Sequence, residues 1–123
     1  MKYFKIFFNL AISIIFFLAT HITEAYHIQV FSTLTSSRYC EGFVNDPDTH
    51  QVLYDTDYID CTGTCKMIDY NSPGKFEVQI NEYKNTRFAY GEQDTCYEVS
   101  GNEVDWSLDP IDCNKFSGVS SCS

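Results

Sequence analysis

Phe76-Glu77-Val78-Gln79-Ile80-Asn81 alternates apolar and polar side chains without a break. Successive side chains of a strand point to opposite faces, so Phe76, Val78 and Ile80 line a buried face while Glu77, Gln79 and Asn81 line the other. Pro73-Gly74 marks a turn before this strand and Lys84-Asn85 a turn after it. Thr86 to Tyr90, with Phe88 and Tyr90 on one face, is therefore expected to return as its hairpin partner.

Outward from this hairpin the same reading recurs. His27 to Ser32 alternates, with Ile28 and Val30 on one face, and shorter strands are expected at Val52–Tyr54, Cys96–Val99, Trp106–Leu108 and Ile111–Phe116. Gly101-Asn102 and Asp109-Pro110 punctuate the last three. Short strands at close intervals with turn residues between them predict a mainly β fold, a small disulfide-stabilised antiparallel β-sandwich or barrel. A short helix over Thr35–Phe43 or Tyr58–Tyr70 is the α+β alternative. One internal echo, Ile28-Gln29-Val30-Phe31-Ser32 before Cys40 and Cys113-Asn114-Lys115-Phe116-Ser117 before Cys122, offers two related strand-and-loop units as the alternative to a chance match, which such a short stretch favours.

The first residues carry an address. Lys2 and Lys5 precede an apolar run from Ile6 to Leu18, the charged and apolar regions of a secretory signal peptide. That run is shorter than the about 20 residues a membrane-spanning helix needs. Thr23-Glu24-Ala25 resembles a cleavage site, so residues 1–25 are expected to be removed, leaving Tyr26 first. A cut after Ala19 is second choice, because it places Phe17 where the peptidase prefers a small side chain. Residues 26–123 then form one secreted domain, and loss of Lys2, Lys5 and Glu24 takes the net charge from −9 to −10.

Cys40, Cys61, Cys65, Cys96, Cys113 and Cys122 all lie in that domain. An even number of cysteines in a short exported chain predicts three disulfides, with connectivity left open by the spacing. The short loop between Cys113 and Cys122 favours their pairing, with Cys40 joined to Cys61 or Cys65 and the other joined to Cys96. A Cys40–Cys122 bridge competes, because a longer loop gains more from closure. Cys61-Thr62-Gly63-Thr64-Cys65 lacks the second pair of ligands that a zinc site needs. No Asn-x-Ser/Thr glycosylation site occurs.

Candidate chemistry is sparse. His27 and His50 are the histidines of the mature chain. A small secreted hydrolase of ribonuclease type would need His50 as acid, Glu77 as base and Arg87 on the phosphate. An acidic domain repels a phosphate backbone. Arg38, Lys66, Lys75, Lys84, Arg87 and Lys115 are moreover scattered, so no nucleic-acid partner is expected. Asp55, Asp57 and Asp60 lie close together, yet the segment lacks the glycine and distal glutamate of an EF-hand loop. No Gly-x-Ser-x-Gly elbow is present. No catalytic residue, metal or other cofactor is therefore assigned. The mature chain instead carries eight Tyr, five Phe and Trp106, and tyrosine combines large contact area with low side-chain entropy, which suits recognition.

Cys96-Tyr-Glu-Val-Ser-Gly, Trp106-Ser-Leu, Cys113-Asn-Lys-Phe-Ser-Gly and Cys122, with the opening strand Ile28–Phe31 and Cys40, resemble a pattern in small secreted cysteine-rich proteins of filamentous fungi. Some of those have folds similar to one βγ-crystallin domain. The resemblance covers both ends of the mature chain and leaves Val44–Asn71 unmatched. It implies an effector: an exported, non-enzymatic virulence protein that binds a host or extracellular protein; a monomer is expected. A toxin or inhibitor that blocks a channel or protease is the remaining alternative to the hydrolase.

Overall fold

The computed structural model describes residues 25–123, so the export signal read over the first residues lies, but for Ala25, outside the described part. Eight strands follow in chain order: β1 (Tyr26–Ser32), β2 (Cys40–Asn45), β3 (Val52–Asp55), β4 (Cys65–Ser72), β5 (Phe76–Glu82), β6 (Asn85–Gly91), β7 (Thr95–Gly101) and β8 (Trp106–Ile111). They form two four-stranded sheets, β4-β1-β7-β8 and β3-β2-β5-β6. Every pairing between strands is antiparallel except β1 with β7. The mainly β, disulfide-stabilised sandwich expected from the alternation is what forms. No helix among the described residues is long and apolar enough to cross a membrane.

The core lies between the sheets. Ile28 and Val30 of β1, Ile68 of β4 and Tyr97 and Val99 of β7 meet Val44 of β2 and Phe76, Val78 and Ile80 of β5. Phe76, Val78 and Ile80 are fully buried, as the alternation of β5 demands. Trp106, 3% exposed, closes one side, and the Arg87 guanidinium stacks 5.1 Å from its ring centre. Gly42 marks a close approach of the two sheets: a Cβ there would stand 2.9 Å from Ile68 Cδ1.

Four local readings are corrected. The two segments offered for a short helix in the α+β alternative end in β2 and β4, whose alternation is hidden by Gly42 and by the slip of β4 against β1 between Val30 and Phe31. Ile111–Phe116 is not a strand: after Ile111 the chain coils through turns closed by Lys115 N–H to the Asp112 carbonyl and Val119 N–H to the Phe116 carbonyl. The internal echo therefore has no structural counterpart, since one copy is β1 and the other is this coil. Asp109-Pro110 does not end β8, because β8 is an edge strand, where a missing N–H is tolerated.

All six cysteines pair, as Cys40–Cys61, Cys65–Cys122 and Cys96–Cys113. The expected Cys113–Cys122 bridge does not form, nor does a bridge from Cys96 to Cys65 or Cys61. The C-terminal segment crosses the outer surface of the first sheet as a strap, carrying Cys122 away from Cys113. Cys113 fixes one end to β7. Phe116 packs 5.4 Å from Phe31 of β1, Lys115 pairs with Glu98 of β7 at 2.7 Å, and Cys122 fixes the other end to β4. Phe31 is thereby buried to 1% exposure although it sits outside the main core.

The loops closed by Cys65–Cys122 and Cys96–Cys113 span 57 and 17 residues. Loop-closure entropy then predicts that replacing the first pair by serine costs about 4 kcal/mol and the second about 3 kcal/mol. Urea unfolding of the two double variants measures the order, and a larger loss for the short loop would contradict it.

Candidate functional site

At one end of the sandwich the crossing from β1 to β2, the β5–β6 hairpin and the β7–β8 turn converge on a cavity of about 540 Å³. Each wall has a local cause. Residue 82 is the next core-facing position after Phe76, Val78 and Ile80, so β5 delivers the Glu82 carboxylate to the end of the core. Glu82 pairs with Asn85 across a two-residue turn in which Tyr83 takes a left-handed φ of 46°, leaving its ring 80% exposed.

Ser36, Ser37, Arg38 and Tyr39 also line the cavity, entering β2 beside Glu82 through the Cys40–Glu82 pairing. That segment is held by hydrogen bonds from Thr35 N–H to the Gly101 carbonyl at 2.9 Å and from Gly63 N–H to the Leu34 carbonyl at 2.8 Å. Gly101 has a φ of 115°, and a Cβ there would collide with the Asp105 carbonyl oxygen. A larger residue would therefore displace the turn that carries Glu103 to the rim. The Cys40–Cys61 bridge, with reciprocal backbone hydrogen bonds of 2.9 Å between Cys40 and Ile59, fixes Thr62 on the lining.

Glu82 is 1% exposed. The Ser37 hydroxyl donates to Glu82 Oε1 at 2.8 Å, whereas Glu82 Oε2 is buried without a hydrogen-bond donor among the described residues. Most buried polar atoms are satisfied, and a carboxylate oxygen left unsatisfied costs free energy. The lining thus combines two carboxylates, Glu82 and Glu103, one guanidinium, Arg38, and two tyrosine rings. Arg38 has no ion-pair partner among the described residues. The sequence reading missed Glu82 and Ser37. The available signal was the phase of β5, which puts a carboxylate on the buried face two residues after Ile80.

The histidines stand elsewhere. His27 Nε2 lies 2.6 Å from Asp69 Oδ1 on the outer surface of the first sheet, and Lys66 Nζ lies 3.2 Å from Asp69 Oδ2. These partners, the His27 hydrogen bond foremost, hold Asp69 below its ordinary pKa. His50 sits in the β2–β3 turn at a φ of 60°, and its ring has no hydrogen-bond partner among the described residues. Glu77 is buried on the outer side of β5, where it accepts from Asn45 Nδ2 at 3.1 Å. Arg87 is paired with Ile80 and so faces the other side of its sheet. His50, Glu77 and Arg87 are therefore not brought together.

The basic residues are dispersed as the sequence implied. Lys75 pairs with Asp48 at 2.9 Å, Lys84 lies 5.2 Å from the Tyr83 ring centre, and Lys66, Arg87 and Lys115 are engaged as described above. Asp55 and Asp57 join Glu41, not Asp60, with one oxygen from each within 4.8 Å of the others. Asp60 instead accepts from Thr62 N–H at 3.0 Å. Three oxygens are the hard-cation type, but calcium takes six to eight.

Burial, then the negative charge of Asp55, its hydrogen bond and Asp57, push the Glu41 carboxyl above its ordinary value of 4.5. A raised carboxyl pKa means that the charged form opposes folding above that range, and that the penalty vanishes once both states are protonated. Glu41→Gln is therefore expected to raise the urea midpoint at pH 7, with the gain disappearing as pH falls below about 4. Equal midpoints at pH 7 would refute the account of this cluster. No protein-family model, no curated protein and no solved structure matches the chain.

Proposed function

We propose that the mature domain is a secreted, non-catalytic recognition protein, effector-like in action, that captures a protein of a host through the cavity between Tyr39 and Tyr83. The observation that carries this reading is the pair of rings themselves. Tyr39 is 64% and Tyr83 80% exposed, and both line one cavity, Tyr39 just before and Tyr83 just after the paired Cys40 and Glu82 of β2 and β5, each held by a segment tied to the disulfide-bonded sandwich. Binding needs a rigid scaffold and a few large anchors, and anchors on a fixed scaffold lose little entropy on association.

Three disulfides fit export to an oxidising compartment, and the leader-like first residues support the same destination. The resemblance to secreted cysteine-rich proteins of filamentous fungi supports a role in virulence. A monomer fits a scaffold whose two sheets share one core.

The test is capture of host proteins by the oxidised mature domain. Tyr39→Ala combined with Tyr83→Gly, both at exposed positions, is expected to weaken capture of the dominant partner by about thirtyfold, the scale of a binding hot spot. His27→Ala combined with His50→Ala should leave capture and biological activity within a few fold. A folded double histidine variant without activity would replace recognition by hydrolysis. Undiminished capture by the tyrosine variant would move the binding surface elsewhere.

A further inference from the structure

We infer that the cavity is a socket for one cationic side chain, a lysine or arginine projecting from the partner. The inference rests on the recognition reading and names the chemistry that the socket accepts. Its wall asks for two things at once. The rims are tyrosine rings, suited to an aliphatic stem lying against them; Tyr83 already carries Lys84 Nζ 5.2 Å from its ring centre, which leaves Tyr39 as the ring for an incoming cation. Glu82 lines the same cavity with a buried carboxylate that has one hydrogen bond, from Ser37 at 2.8 Å, and an oxygen, Oε2, covered from solvent and with no donor among the described residues. A lysine ammonium or an arginine guanidinium supplies donors and the compensating charge, and an arginine fork engages both oxygens of a carboxylate.

The charge of the whole domain points the same way. Net charge is −9 for the full chain and more negative once the basic leader is removed, which draws basic partners and repels acidic ones. Within the cavity the exposed Glu103 and the exposed Arg38 offset each other, which leaves Glu82 as the buried charge. Arg38 is the opposing charge, but it is exposed while Glu82 is buried. Solvent screens the exposed group far more than the buried one. An anionic ligand would use Arg38 and would leave Glu82 Oε2 both unpaired and repelling it.

The probes are three blocked pentapeptides, with arginine, lysine or citrulline at the centre of four glycines. They are titrated into the isotope-labelled, oxidised mature domain and followed by amide chemical shifts. The arginine and lysine peptides are expected to shift residues 36–39, 62, 82–83 and 103. Citrulline, which keeps the shape of arginine without its charge, should bind about tenfold more weakly. Glu82→Gln should cost the arginine peptide about tenfold. Arg38→Ala, at an exposed position that leaves the fold intact, should tighten binding of both cationic peptides. Equal binding of citrulline, no shift at the cavity with any peptide, or weaker binding on Arg38→Ala would each overturn the cation socket. If the tyrosine variant still loses its partner in that event, recognition at the cavity stands and only the ligand chemistry falls.

Discussion

β1 lies parallel to β7, so that Ile28 meets Thr95 and Ser32 meets Val99, and this one pairing joins opposite ends of the folded chain. Without it the first sheet falls into two ribbons, β4-β1 and β7-β8, and a two-stranded ribbon is marginal in water. With it, Val30, Tyr97 and Val99 form a continuous apolar face against which β2 and β5 pack. The neighbouring hairpins β5–β6 and β7–β8 close locally. The β1–β7 contact has to be found across most of the sequence, the kind of non-local pairing that slows folding. The chain must also leave β1 in one sheet to enter β2 in the other, and that crossing over residues 33–39 makes one wall of the cavity.

A domain of this size buries a modest core, which is why covalent support matters. Two of the three bridges anchor a strap instead of joining the sheets. Cys96–Cys113 and Cys65–Cys122 hold the C-terminal segment over Phe31, giving the first sheet apolar contacts on its outer side. Cys40–Cys61 lies elsewhere, behind the cavity and next to Ser37, Tyr39 and Thr62. The strap and the cavity thus draw on different bridges.

Much of the fold was legible because β5, β1 and β7 place apolar residues at every second position. What escaped did so for identifiable reasons. Gly42 occupies a core-facing position without an apolar side chain, and β2 went unseen. β4 departs from plain alternation, because the pairing of β1 with it slips between Val30 and Phe31. The strap looked like a strand with a local disulfide, since nothing local in Cys113–Cys122 says that the intervening residues must cross a sheet to cover Phe31. The cavity was partly readable: tyrosine abundance pointed to recognition, and the phase of β5 places Glu82 inward. Its closure by Ser37, Thr62 and Glu103 depends on long-range topology that spacing does not encode.

The proposed recognition takes place at the Tyr39–Tyr83 cavity on a rigid disulfide-bonded frame. Hydrogen–deuterium exchange of the oxidised mature domain, free and bound to its captured partner, tests this most directly. Slower exchange on binding is predicted at residues 36–39, 62–63, 82–84 and 103, with the strap over residues 112–119 unchanged. Protection confined to the strap or to the outer surface of β5 and β6, with the cavity segments exchanging as before, would contradict the account.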